Sequence, residues 1–247
     1  MKNPLFSLQK VERLAKREPF LKSYTQKINA VRNNKTTTID LDLTFEDLRH
    51  TVHEDIDKIR IIALKILAMI DHLSKKHNFK YFMSYGTLIG VVRHRGFIPW
   101  DDDIDIMMTR KDVDKLIAAS YELPDSIDFY PQGLNFLKVM DKYSKISIDG
   151  KRGVAVDIFV LDKNRDDYSF INVHNQKKIK LKATEIFPLE QKPFENIDAP
   201  VPANYHELLT KIYGNYMELP PIEQRISHHV NNKSVHIHPF PNQKEVN

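Results

Sequence analysis

The densest chemistry in this chain lies in Pro99-Trp-Asp-Asp-Asp-Ile-Asp-Ile106. Side chains on a strand alternate between faces. Asp101, Asp103 and Asp105 then share one face, and Ile104 and Ile106 share the other with Asp102. Like charges this close repel and raise one another's pKa. The row costs stability unless a cation sits among it. A compact group of hard oxygen ligands suits Mg²⁺, with Mn²⁺ as its substitute. Magnesium held by two protein carboxylates keeps positions open for phosphate oxygens, so the motif predicts a metal-assisted phosphoryl site. Three other readings compete. A calcium loop needs Gly sixth and Glu twelfth; counted from Asp101, those places hold Ile106 and Asp112. The Asp-x-Asp of a metal-dependent glycosyltransferase would bind a nucleotide diphosphate through the same kind of ion. A solvated acidic turn leaves the alternation with isoleucine unexplained.

Two further segments point the same way. Tyr85-Gly-Thr-Leu-Ile-Gly90 reads as a strand–turn–helix transition, 16 residues before Asp103. Gly86 lets backbone approach a ligand closely. The N–H groups of a helix start, with the Thr87 hydroxyl, can hold a phosphate. Arg93, His94 and Arg95 follow and could clamp phosphate charge, or form a solvated basic turn. In Gly153-Val-Ala-Val-Asp-Ile-Phe-Val160 one Asp interrupts an apolar strand. An unpaired carboxylate there is costly. Asp157 is therefore read as the third carboxylate, binding metal or taking an acceptor's proton; the alternative is a salt-bridged Asp at a strand edge. The helical spacing of His50, His53 and Asp57 does not make a convincing zinc face in a chain with Cys 0.

These residues need elements to position them. A long helix is predicted from Thr44, with Glu46 and Asp47 in its first turn, to His77-Asn78. Strands are predicted over 79–85, 103–108, 144–148 and 154–161. Thr87 is expected to cap a short helix, and Thr109 another with Asp112 at its third position. Further helices are predicted around 166–183 and 204–213. Hydrophobic residues make up 41% of the 247, enough for a sizeable core, and no apolar run approaches the roughly 20 residues that span a bilayer. The N-terminus has no secretory apolar stretch, so a cytoplasmic protein is expected.

Charge is uneven. Residues 1–35 carry +7 against +4 for the whole chain, which leaves −3 for the rest. Within this arm, Leu5, Leu8, Val11, Leu14, Leu21, Tyr24, Ile28 and Val31 recur at helical steps around Pro19. Two short amphipathic helices follow, either attached to an anionic membrane surface or packed on the body. The division expected is an arm and linker over 1–43, a catalytic domain over 44–225, and a loose His- and Asn-rich tail over 226–247.

Together these motifs follow the nucleotidyltransferase superfamily pattern. The run from Tyr85 to Ile106 strongly resembles the LicD family of phosphorylcholine transferases, related to the fukutin-type sugar phosphotransferases. The resemblance continues through Val156-Asp-Ile-Phe159, Ile186-Phe-Pro-Leu189, Val201-Pro202, Tyr213-Gly-Asn-Tyr-Met217 and Pro220-Pro221, so it covers roughly 45–225. Tyr85 stands where the family often has a further glycine, and Thr87 where the superfamily usually has Ser. The resemblance implies an α+β fold, a nucleotidyltransferase-type mixed sheet flanked by helices, here preceded by the basic helical arm. It implies a CDP-activated donor, CDP-choline or a ribitol or glycerol equivalent. Phosphocholine would pass to a hydroxyl of a cell-surface glycan, a lipid-linked one, with release of CMP at the inner face of the membrane; no nucleic acid is expected as partner. Asp103 and Asp105 would hold Mg²⁺ or Mn²⁺, with Asp101 as ligand or support. Asp157 would complete the site or act as base. Thr87 and the neighbouring backbone would hold the diphosphate, and Arg93 would stabilise the developing charge. Aromatic faces bind quaternary ammonium, so Trp100, Tyr85, Tyr143 and Tyr216 are candidate walls for choline.

Overall fold

The computed structural model describes residues 19–33, 45, 47–133, 135–146, 153–171, 178–227, 230 and 236–237. The first expected arm helix, Thr44 and most of the expected tail lie outside them. Helix α1 (Pro19–Asn33) is the second arm helix. Its Tyr24 and Ile28 are buried in the common core, Lys27 pairs with Asp114 at 2.8 Å, and Arg32 donates to the Ile127 carbonyl at 2.8 Å. This part of the arm packs on the body rather than offering that face to a membrane.

Helix α2 (Asp55–His77) buries Ile59, the pairs Ile62-Ala63 and Ile66-Leu67, Ile70 and Leu73, so that its apolar face returns every three or four residues. Lys75, Lys76 and His77 occupy its last turn, and Asn78 closes it in the left-handed region at φ 51°. The helix starts eleven residues later than Thr44, at Asp55 behind an N-cap Glu54. Asp47 is drawn instead into a buried ion-pair group with Arg49, Lys65 and Asp141. Strand β1 (Phe82–Met83) is shorter than expected, because helix α3 (Tyr85–His94) begins at Tyr85 with Ser84 as N-cap. Thr87 therefore lies inside α3 and does not cap it. Strand β2 (Ile104–Thr109) leads to α4 (Arg110–Ala118), and here the expectation holds: the Thr109 hydroxyl accepts from the Asp112 N–H at 3.3 Å.

The sheet continues through β3 (Ile127–Gly133), β4 (Phe136–Asp141) and β6 (Ala155–Asn164), in the order β1-β2-β6-β4-β3. The β2–β6 pair is parallel, whereas β1–β2, β6–β4 and β4–β3 are antiparallel. Strand β5 (Ser144–Lys145) stands apart. The helix expected over 166–183 is a correction. Its residues form β7 (Asp167–Ile171), paired antiparallel with the last residues of β6, and β8 (Lys178–Lys182), paired antiparallel with β7, and only then α5 (Ala183–Ile186). Phe170 and Leu181 are buried from this pair. A hairpin of β9 (Leu189–Phe194) and β10 (Ile197–Pro202) precedes α6 (Tyr205–Tyr213), close to the expected 204–213. Helices α1, α2 and α4 form one group against the sheet; α3, α6 and β9 form another beside the acidic end of β2. Two pieces of the expected loose tail are tied down. Ser227 is buried, and β11 (His236–Ile237) pairs with β5. No helix among the described residues is long and apolar enough to cross a membrane. The architecture is the expected α+β class: a mostly antiparallel sheet flanked by helices.

Candidate active site

Asp105 and Asp157 are direct neighbours across the parallel β2–β6 pair. Their strands are held by fully buried Ile104, Ile106, Val156 and Ile158. The two carboxylates share a face because register places them side by side. Asp101 and Asp103 are not on the strand as expected; they lie in the loop before it. All four nevertheless line one cavity of about 830 Å³, with Tyr85, Gly86, Trp100, Phe136, Phe159, Tyr213, Glu223 and Ser227.

The loop is fixed from outside. Arg60, on α2, donates to the carbonyls of Pro99 and Asp101, both at 2.9 Å, and of Ile98 at 3.1 Å. Asp102 does not itself line the cavity, but it accepts from the hydroxyl of Ser227, which does. From the other side α3 approaches through Gly86, where an added β-carbon would stand 2.8 Å from Asp101 Oδ2. The Thr87 hydroxyl accepts from the Asp105 N–H at 2.8 Å. It is a buried positioning contact on β2, not part of the cavity wall.

Burial pushes the Asp101 carboxyl up to about 6; the Asp102 charge adds to this, while hydrogen bonds with Asp103 and the Asp102 backbone, and the Arg60 charge, oppose it. Burial also pushes Asp105 well above the usual range, helped by Asp103, Asp157 and Asp101 and opposed by Lys138. Lys138 was not legible as a site residue. It sits opposite Asp157 across β4–β6, and its Nζ donates to both Asp157 oxygens at 2.5 and 2.6 Å. The alternation of Phe136-Leu-Lys-Val-Met-Asp141 would have shown a strand there, but not the partner. Tyr213 is likewise new: the residue is 37% exposed, yet desolvation of its phenol, then Asp105, raises that group, which stays neutral beside the acids.

Arg93 and Arg95 are not brought to the cavity wall. Arg93 donates to the Tyr216 carbonyl at 3.0 Å, and burial, then Arg225, lowers its pKa. Arg95 is exposed and ends α3 at φ 59°. Nor do Tyr143 and Tyr216 line the cavity; Tyr216 is 3.1 Å from His206 Nδ1. Arg225 is the cation at the aromatic side, 5.3 Å from the Trp100 ring centre.

The donor set is hard carboxylate oxygen throughout, which fits magnesium or manganese. Among the described residues no three acidic or histidine groups are already gathered as a metal cage. Magnesium does not require one, since it usually keeps several waters and takes one or two carboxylates.

Residues 78–204, just over half of the chain, match the family model of the LicD/FKTN/FKRP nucleotidyltransferase domain. The chain belongs to the LicD family. Its nucleotidyltransferase domain makes it one of a family of transferases. The lipopolysaccharide cholinephosphotransferase LicD of Haemophilus influenzae is 25% identical, over 69% of this chain and 94% of the relative. Uncharacterized proteins of Rickettsia prowazekii and Rickettsia typhi are 28% and 30% identical, over 61% and 63% of this chain. The match covers 56% and 47% of those two, so the chain spans about half their length. The LicD-family segment contains the acidic row and Lys138. Tyr213, Arg225 and Ser227 lie beyond it, yet they stand at the same cavity or its rim.

Proposed function

We propose that this LicD-family protein transfers phosphocholine from CDP-choline to a hydroxyl of a cell-surface glycan and releases CMP. The observation that carries the reading is the Asp105–Asp157 pair, placed by strand register beside Asp101 and Asp103 in a cavity that also holds Trp100 and Tyr213. The name of the Haemophilus relative supports choline phosphate as the group moved and lipopolysaccharide as the acceptor. Asp103 and Asp105 would hold Mg²⁺ or Mn²⁺, with Asp101 close by. Such an ion supplies neutralisation of the charge that develops on the phosphoryl oxygens.

The protein's own work is positioning. Gly86 leaves the donor phosphates room beside Asp101, which an added β-carbon would crowd. Trp100 and Tyr213 offer aromatic surface near carboxylates, the combination that suits a trimethylammonium head, whereas the Tyr85 ring is buried against Phe159 and Phe170. The acceptor oxygen bonds to phosphorus, the bond from phosphorus to the CMP oxygen breaks, and the hydroxyl proton leaves to a carboxylate oxygen of the row. A lipid-linked acceptor would place the protein at the inner face of the membrane.

CMP release by purified protein tests this, with Mg²⁺ and then EDTA, and with crude lipopolysaccharide as acceptor. CDP-ribitol and CDP-glycerol run in parallel. Magnesium-dependent CMP from CDP-choline is expected. CMP from another CDP-alcohol alone would overturn the choline assignment and keep the chemistry. UDP or GDP release from sugar nucleotides, with none from the CDP-alcohols, would replace the reading with glycosyl transfer.

A further inference from the structure

The acidic row does not end at Asp157. Asp105, Asp157 and Lys138 stand in register on three adjacent strands, β2, β6 and β4. Neighbouring strands are about 4.8 Å apart, so the ammonium follows the two carboxylates as the next member of one line. Lys138 Nζ reaches both oxygens of Asp157, and the two side chains are only 18% and 16% exposed. The Phe136 ring, which lines the cavity, has its centre 5.3 Å from the same Nζ. The ammonium is thus held between a carboxylate and an aromatic face, with little water to screen it.

Sites that move phosphoryl groups often hold two divalent ions about 3.5–4 Å apart, bridged by a shared carboxylate. Asp157 is the residue that would have to serve a second ion here. Both of its oxygens already accept from Lys138, and an added double charge would stand beside a fixed ammonium. We infer that Lys138 takes the place of a second metal, so that this site binds one divalent ion, on the Asp101–Asp103–Asp105 side. The inference rests on the metal-binding half of the proposed function. It adds the number of ions and the residue that sets it. Lys138 is a positioning residue in this account: it acts through Asp157, and it balances one carboxylate of the row permanently.

The test is a count of bound Mn²⁺ per chain on the full-length protein, by electron paramagnetic resonance of the free ion, with the metal alone as probe. One ion is expected for the unaltered protein. Lys138→Met frees Asp157 and is expected to bind two. Lys138→Arg keeps the cation and is expected to bind one. Lys138→Met combined with Asp157→Asn removes the freed carboxylate, restores local neutrality, and is expected to return to one. A purely structural ion pair would leave the count unchanged across the series. Two ions on the unaltered protein, or one on folded Lys138→Met, overturns the inference and leaves metal binding standing. No bound ion on the unaltered protein overturns the inference together with the metal half of the proposed function. If Lys138→Met does not fold, Lys138→Gln takes its place as the variant without the cation: two ions on it are expected, and one overturns the inference.

Discussion

At the scale of single residues, the carboxylates carry an electrostatic cost that can be measured without substrate. Asp101 has its pKa pushed up to about 6, chiefly by burial. A carboxyl with a folded pKa above its unfolded value of about 3.8 favours the fold when protonated. Its contribution is present below pH about 4 and is lost as pH rises toward 6. Asp101→Asn is therefore expected to match the unaltered protein in thermal stability at pH 4 without metal, and to exceed it at pH 7. The gain should be a few degrees in Tm, on the order of 1 kcal/mol for a chain of this size. Thermal melts of both proteins in EDTA at the two pH values check this; a variant that melts lower at pH 7 would show that burying the ionised Asp101 carries no such cost. Asp105→Asn should share the gain and abolish turnover, since its carboxylate is the one that both loop acids and Asp157 surround. The four aspartates were legible because each breaks a pattern, either an alternation with isoleucine or an otherwise apolar run. Lys138 and Tyr213 break none. Their roles come from which strand or helix lies beside which, and that is settled only by the fold.

At the scale of elements, two glycines of one helix separate site geometry from packing. A β-carbon at Gly86 would meet a side-chain oxygen, Asp101 Oδ2, at 2.8 Å; one at Gly90 would meet a backbone oxygen, that of Gly96, at 2.5 Å. A carboxylate can turn aside, whereas a carbonyl in a packed turn moves only with its chain. Gly86→Ala is expected to keep nearly all of its stability and lose most turnover. Gly90→Ala is expected to lose about 1–3 kcal/mol of stability, the usual cost of overpacking. Urea melts beside CMP-release rates separate the two; equal losses of stability would show that Asp101 is as rigid as the turn. The sequence placed this helix correctly but capped it at Thr87, because a threonine after glycine is a common start signal. The structure spends that hydroxyl on the Asp105 N–H, which ties α3 to β2. The helix expected over 166–183 failed for a different reason. Tyr168 and Phe170, then Ile179 and Leu181, recur at every second residue, a strand period in two short runs. Lysine-rich sequence around them suits an exposed helix equally well, and only pairing with the end of β6 decides.

At the scale of the whole molecule, the acidic site is balanced by a second buried charge group that works in the opposite pH direction. Arg49 donates to both oxygens of Asp47 at 2.8 Å and to Asp141 Oδ1 at 2.8 Å, and Lys65 approaches Asp47 at 3.4 Å. The group joins the segment before α2 to α2 itself and to the end of β4. It is the reason the long helix does not start at Thr44: Asp47 and Arg49 are committed to this group, outside any helix. Burial alone would raise the Asp47 carboxyl, but the Arg49 bonds and charge, with Lys65, outweigh it and hold its pKa below the ordinary value. A depressed carboxyl supports the fold above its unfolded pKa and loses that support as pH falls through the folded one. The metal-free protein is thus expected to lose stability toward strong acid through Asp47, and toward neutral pH through Asp101 and Asp105, with its maximum between. Arg49→Met leaves two buried carboxylates with one lysine near Asp47, a loss of about 3–5 kcal/mol. It also removes the main force holding the Asp47 pKa down, so burial then raises it. The acid-side loss should flatten while the neutral-side loss remains or steepens. Urea melts from pH 3 to pH 8 in EDTA give both slopes, and an unchanged acid-side slope in Arg49→Met would show that Asp47 is not the group that sets it.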